Sequence, residues 1–530
     1  MNNSILILIL CTGNWLFAQN YQTFNLTPDI DAYKQNSQFH YLIVDTLYIY
    51  VIGDKLKERF QGGEVFVENY FTKFDYTGKL IALGVLKDTN LNNPRLDTNT
   101  PCFKKNDSLY FCYLYTVNDT TKQYSDPTLF ELNLANGKVE KVKIFVHPIN
   151  NHLGLFCRAF NYNPNTGLLT LGFLVDSKND PLIYIYELDS NLVISRTIAL
   201  PEFNKFHSPH WIEKQSDGTY DIVCNSAIIR NNGLTVISEL TFIKCDSLGK
   251  ILIRKELITP ANIIFSGESY SIHRNKDQSF NISIHEYKSQ IDRSAPLALH
   301  ASSQFDTLFW MKRFYEYPEI IQENPQYLIN YMAYSPFDTS FVTSGDINEQ
   351  GTQNSYGLLF KVTKNGDSLW TRKYLPAGFG PDRALWMNFY QVAISPQNTI
   401  IVCGRVSDNL EQVVKGWLLQ LDKDGCIVPG CGEIVKSEDI QSGKVKAFKL
   451  YPNPARDKFY LLSRISSSGK FKFTLYSLEA RKIKETSMQV ETGVQYIFMV
   501  PEDIPPASYI LRISDEKGRL LQEEKLLIQK

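Results

Sequence analysis

Leu358-Leu359-Phe360-Lys361-Val362-Thr363-Lys364-Asn365-Gly366-Asp367-Ser368-Leu369-Trp370 is the stretch that decides the fold. Residues 358–362 are an apolar run of strand length, 363–366 a polar turn, and Leu369-Trp370 the start of a second strand. A tight hairpin turn needs a residue that accepts positive φ, and Gly or Asn does so at least cost. The phrase recurs along the chain. Gly425 closes it in Leu421-Asp422-Lys423-Asp424-Gly425-Cys426-Ile427, Gly249 in the copy at 245–251, Gly137 at 132–139 and Gly78 at 74–80. A copy at 188–193 lacks the Gly, and one at 305–310 is eroded. Turn positions 78, 137, 191, 249, 307, 366 and 425 give spacings of 59, 54, 58, 58, 59 and 59.

Another hydrophobic strand, ending near a small residue, lies upstream in several units. Examples are Thr399-Ile400-Ile401-Val402-Cys403-Gly404, Phe341-Val342-Thr343-Ser344-Gly345 and Tyr220-Asp221-Ile222-Val223-Cys224. A period near 58 residues with about four strands fits a β-propeller blade somewhat longer than the common ~40–50. Seven turns predict seven blades over residues 19–431, because a blade must bury both faces against neighbours and a ring does this for all of them. A run of β-sandwiches is the alternative. The late units, 337–431, resemble the degenerate propeller repeats of exported Bacteroidetes proteins, in which a strand, a Leu-Asp-x-x-Gly turn and a Trp strand recur.

The bulk composition agrees with strands. The 530 residues include 30 Tyr and 32 Phe, which suit pleated surfaces. Lys+Arg 55 against Asp+Glu 56 leaves a net charge of -1, so no broad footprint for nucleic acid is expected. At the N-terminus, Ile5-Leu6-Ile7-Leu8-Ile9-Leu10 followed by Leu16-Phe17-Ala18 reads as a signal peptide over 1–18. The run is too short for a membrane span, which needs ~20 residues, so the chain is not expected to be an integral membrane protein. Leu10 stands where a lipoprotein site at Cys11 wants Gly, Ala or Ser.

The last 84 residues, 447–530, follow a loop-like linker at 432–446. Alternation at Phe471, Phe473 and Leu475, at Tyr496, Phe498 and Val500, and at Tyr509, Leu511 and Ile513 predicts five or so short strands in a small Ig-like β-sandwich. The domain opens with Leu450-Tyr451-Pro452-Asn453-Pro454 and Asp457. Residues 475–481 and Ala507-Ser508-Tyr509-Ile510 follow as degenerate middle and late motifs, with Ser477 and Ala480 in place of the usual Asp and Gly. The segment resembles the type A C-terminal sorting domain of the Bacteroidetes type IX secretion system. That resemblance implies passage across the outer membrane by the type IX machinery, removal of the domain, and surface attachment or release. The expected fold class is therefore all-β: a seven-bladed β-propeller followed by a small sorting sandwich.

Eight cysteines remain after removal of Cys11, which permits disulfides in an exported chain. Cys426 and Cys431 enclose a turn-prone spacer and are the leading pair. Cys102 with Cys112, and Cys224 with Cys245, could bridge neighbouring strands or stay buried and free. With no Cys-x-x-Cys pair, zinc is disfavoured. Asp422-Lys423-Asp424-Gly425 lacks the remaining ligands of a calcium loop and reads as turn chemistry. His207-Ser208-Pro209-His210-Trp211 is the best local pocket candidate, with Glu268, Tyr270 and His273 a second polar group. No elbow, zincin or phosphate-loop motif is present, so no catalytic or metal set is assigned and no cofactor is expected. A secreted or cell-surface propeller that binds a glycan, peptide or protein is the leading reading. The alternative is a polysaccharide hydrolase or lyase with its site at the channel mouth.

Overall fold

A computed structural model of the chain describes residues 23–28, 37–59, 65–86, 94–96, 102–116, 126–145, 155–175, 182–200, 206–229, 235–258, 264–265, 271–288, 293–314, 326–348, 355–376, 385–408, 413–427, 447–451, 455–465, 468–477, 481–491, 494–501 and 504–529. The repeated turn is built as its composition dictates. In Asp422-Lys423-Asp424-Gly425, the Gly425 N–H donates to Asp422 O at 3.1 Å. Asp422 Oδ1 accepts the N–H groups of Asp424 and Cys426 at 2.9 and 2.8 Å. Asp75, Asp189 and Asp246 hold their own turns in the same way. The Asp is a local cap for backbone donors, and Asp422 is turn chemistry.

Positive φ falls at Gly78, Gly137, Leu192, Gly249, Phe305, Gly366 and Gly425. Two of the seven expected positions therefore shift. The third is Leu192, one residue after Asn191, and the fifth is Phe305, two residues before Thr307. Neither turn has a Gly, so nothing in its composition marks which residue turns left-handed.

Each of the first six turns joins the third and outer strands of an antiparallel blade, and the seventh, at Gly425, follows the third strand of blade 7. Blade 1 spans 37–85, blade 2 94–144, blade 3 155–199, blade 4 206–256, blade 5 264–313, blade 6 326–374 and blade 7 385–421. The inner strand of blade 2 is broken into Pro94–Leu96 and Phe103–Lys104, and that of blade 5 into Ile264–Phe265 and Ser271–Arg274. Blade 7 has only three strands of its own. Its outer strand is Phe24–Leu26, which pairs antiparallel with Val413–Leu421 and closes the ring.

Blades are held by interdigitating faces. Phe39, Val51 and Phe74 of blade 1 pack with Ile401, Cys403 and Leu418 of blade 7, and Phe111 and Leu129 of blade 2 with Phe160, Leu171 and Phe173 of blade 3. Fully buried side chains of this size each stabilise by roughly 1.5–3 kcal/mol. Near the rim, turn residues of one blade seat under the outer strand of the blade before it. A Cβ on Gly366 would lie 2.6 Å from Trp310, and one on Gly425 would lie 2.8 Å from Trp370. Trp310 Nε1 donates to Lys364 O at 3.0 Å, and Tyr374 OH to Gly425 O at 2.7 Å. His285 accepts the Ile329 N–H between blades 5 and 6. Burial lowers its pKa to about 4, which keeps the imidazole neutral for that role.

Residues 447–529 form a sandwich of a three-stranded and a four-stranded sheet. Seven strands are present among the described residues where alternation predicts about five. Lys482–Val490 escapes the sequence pattern because it is a charged edge strand, paired on one side only. Phe448, Phe459, Leu461, Phe473, Leu511, Ile513 and Leu526 fill the space between the sheets.

Candidate functional site

Five inner strands share one irregularity. Pairing with the second strand slips between Phe39 and Tyr41, Cys157 and Ala159, Pro209 and Trp211, Ile329 and Tyr331, and Phe389 and Gln391. The extra residues are His40, Arg158, His210, Asn330 and Tyr390. A β-bulge re-aims the side chain it inserts, and such bulges gather beside functional sites.

In blades 6, 7 and 1, which are adjacent around the ring, the bulge has a fixed partner. The second strand carries Gly345, Gly404 or Gly53 directly across from the residue before the bulge. A Cβ on these glycines would lie 1.9, 1.9 and 2.2 Å from Leu328 O, Asn388 O and Gln38 O. No side chain fits there, so Gly lets the bulged strand approach. The next residue is charged in all three blades: Asp346, Arg405 and Asp54.

These residues meet. His40 Nε2 lies 2.9 Å from Asp54 Oδ2, and the His40 ring stacks on Tyr390 at 5.3 Å with an interplanar angle of 2°. Arg405 Nε donates to Asn388 Oδ1 and Nη1 to Gln38 Oε1, both at 3.1 Å, and its guanidinium sits 5.8 Å from the Tyr390 ring centre. Asn330 Nδ2 donates to Phe389 O at 2.7 Å. Asp346 bonds Asn388 and Asn330, yet burial pushes its carboxyl up to about 7. Desolvation of the charged form outweighs those bonds and the pull of Arg405. His40 and Asp346 are 4 % and 5 % exposed, and His40 Nδ1 and Asp346 Oδ1 have no hydrogen-bond partner. In the tautomer whose Nε2–H donates to Asp54, His40 presents a lone pair at Nδ1.

The sequence candidates are distributed elsewhere. Trp211 lies under Arg274 and edge-on to Phe280, between blades 4 and 5. His273 stacks on Tyr334 at 4.9 Å, between blades 5 and 6, and burial lowers its pKa. His273 and Arg274 are consecutive in one strand, so they face opposite sides of blade 5, and His273 and Trp211 do not converge. His207 pairs with Ser226, and His210 is the bulged residue of blade 4. Glu268 and Tyr270 lie outside the described residues. A pocket of about 240 Å³ does open between blades 4 and 5, lined by Gln215, Asp217, Asp221, Lys244, Arg274 and Gln304, among others. Arg274 there is bound to Glu213 at 2.7 Å and to Asp221 at 2.8 Å, so its charge is already answered.

Cys426 is disulfide-bonded, and Cys431 lies outside the described residues. Cys224 pairs with Thr241 and Cys245 with Tyr220. The two are thus offset by four residues, roughly 13 Å along the strand, and cannot bridge. Among the described residues no group of three or more His, Cys, Asp or Glu is placed to hold a metal, and no helix is long and apolar enough to cross a membrane.

In the terminal sandwich, Leu450 and Tyr451 end the first strand, and Tyr451 OH donates to Gln495 Oε1 at 2.7 Å. Pro452, Asn453 and Pro454 lie outside the described residues. Ala455 and Asp457 follow. Ala455 bridges to Ile528, and Asp457 O accepts the Val500 N–H at 2.9 Å, so the motif ends where both chain ends of the domain are tied. Ser477 closes its turn, its Oγ accepting the Arg481 N–H at 3.3 Å.

Residues 449–529 match the family of secretion system C-terminal sorting domains. The chain is therefore an all-β type IX secretion substrate, directed to the exterior or the outer surface, with a β-propeller as its cargo. The fold is similar to the β-propeller domain of the trilobed protease from Pyrococcus furiosus, at 9% identity over 73% of this chain and 95% of that one, with a TM-score of 0.38. It is similar to an ulvan lyase of a new polysaccharide lyase family, bound to -[GlcA(1-4)Rha3S]-, at 8% identity, 76% and 97% coverage and a TM-score of 0.45. Drosophila semaphorin 2a gives 8% identity, 96% and 98% coverage and a TM-score of 0.41. No curated protein matches the chain.

Proposed function

We propose that the exported propeller is a binding module whose ligand, a glycan, peptide or protein, sits where blades 6, 7 and 1 meet. The observation that carries this reading is the threefold unit of bulge, glycine and charged residue. It brings His40, Tyr390, Asp346 and Arg405 together and leaves His40 Nδ1 and Asp346 Oδ1 unsatisfied. Buried polar atoms without partners cost about 1–3 kcal/mol each, and a fold keeps them where a ligand or water completes them. In this reading a signal peptide at 1–18 takes the chain to the periplasm, the propeller spans 19–431, a Cys426–Cys431 bridge pins its end, and a cleavable linker at 432–446 precedes the sorting domain at 447–530.

Screening the secreted protein against glycan and peptide panels tests it. Binding lost in His40→Ala with the fold intact supports the reading, and no binding on any panel overturns it. A polysaccharide hydrolase or lyase is the second reading, favoured by the Asp54-oriented His40 in one cluster with a carboxyl that burial raises to about 7. Appearance of new reducing ends or unsaturated sugars on the same panels selects it.

A further inference from the structure

We infer that the ligand of the blade 6–7–1 site is a carboxylated saccharide, held by its carboxylate on Arg405 and by a hydroxyl on His40. This rests on the binding reading above. Arg405 spends two donors, Nε and Nη1, on the neutral amide oxygens of Asn388 and Gln38. Both bonds fix the guanidinium plane through neutral amides, and Arg405 has no carboxylate within ion-pair distance among the described residues, Asp346 acting on it only from further off. Asp54, one blade away at the equivalent position, is committed to His40 at 2.9 Å. Asp346, on the other side, is bonded by amides and sits where ionisation is disfavoured. A guanidinium held in place by neutral partners, with Nη2 left over, suits an incoming carboxylate.

His40 Nδ1 adds the second requirement. Nδ1 is buried and unpartnered, and with Nε2–H donating to Asp54 it needs a donor, which a carboxylate lacks and a hydroxyl supplies. The surrounding groups are the amides Gln38, Asn330 and Asn388, the Asp346 carboxyl and the Tyr390 phenol. These both donate and accept, as the hydroxyls of a sugar do. An acidic peptide offers the carboxylate but few hydroxyls, so a uronate-type sugar matches the set better.

Calorimetric titration of the full secreted chain with oligogalacturonate, with the neutral galactose oligomer of the same length and with an oligo-Glu peptide tests the inference. Expected results are uronate binding at least about tenfold tighter than the neutral sugar, weakening with added salt, and a loss of about tenfold or more in Arg405→Gln. The salt dependence is read on the unmutated protein, so it stands even if that variant misfolds. Equal affinity for charged and neutral sugars, or tighter binding of the peptide, overturns the inference and leaves a binding module. Failure of all three probes, together with silence on wider panels, overturns the binding reading itself.

Discussion

The indole N–H of Trp417 donates to Asn25 Oδ1 at 2.7 Å across 392 residues of chain. Asn25 Nδ2 in turn donates to Leu375 O, just past blade 6, at 2.7 Å. One side chain of the first strand thus ties the third strand of blade 7 to the exit of blade 6. Asn25→Ala leaves the Trp417 donor and the Leu375 acceptor unanswered and is expected to cost about 1–3 kcal/mol. Urea unfolding followed by tryptophan fluorescence measures it, and an unchanged midpoint would count against this closure.

The turn glycines separate two costs. Gly366 has φ +87 and a would-be Cβ 2.6 Å from Trp310, whereas Gly218 has φ +83 and open space around it. Gly218→Ala should cost about 1–2 kcal/mol from backbone conformation alone. Gly366→Ala adds a steric clash at the joint between blades 5 and 6 and should cost about 2–4 kcal/mol. Equal losses would mean that the joint relaxes freely around Trp310.

Asp346 makes stability depend on pH in a defined direction. Burial raises its carboxyl from 3.8 to about 7 in the folded chain, so between those values the folded state holds more protons than the unfolded one. The contribution is complete below the unfolded value and is lost as pH rises through about 7. Asp346→Asn removes this term, so the variant should gain on the parent as pH rises from about 4 to about 7. Thermal midpoints of both proteins across that range give the answer. Parallel curves would show that Asp346 is ionised throughout.

Cys102 and Cys112 are thiols with their Sγ atoms 2.9 Å apart, beside the paired residues Phe103 and Phe111. Export exposes them to oxidants. When a disulfide-containing oxidant accepts their two electrons by thiol–disulfide exchange, both thiol protons leave and the S–S bond forms. Alkylation of the unfolded, unreduced secreted protein should then label Cys224, Cys245 and Cys403 and spare this pair. Labelling of Cys102 and Cys112 as well would show that the pair stays reduced.

Much of the fold was legible because its signals are local. Asp75, Asp246 and Asp422 cap their turns with bonds reaching only two to four residues ahead. The period therefore survives wherever those residues do, and it fades at Leu192 and Phe305, where the turn has no Gly to mark it. The small residues Gly345 and Gly404 were visible as strand ends. Their meaning was hidden, because a glycine facing a bulge is defined by the strand opposite it. The histidine pair near Trp211 stands out by proximity in sequence, while His40, which has the orienting carboxylate of Asp54, carries no neighbouring motif.

By itself, then, the sequence determined the repeat, the blade number, the terminal sandwich and its sorting signature, since hydrogen bonds and alternation within a few residues write each of these. Only the tertiary structure decided the site. Arg405 reaches Gln38 across 367 residues, and Tyr390 meets His40 because Phe24–Leu26 closes the ring and sets blade 7 against blade 1. Each bulge also adds one residue to a strand of period two, which turns side chains away from the faces that alternation assigns them.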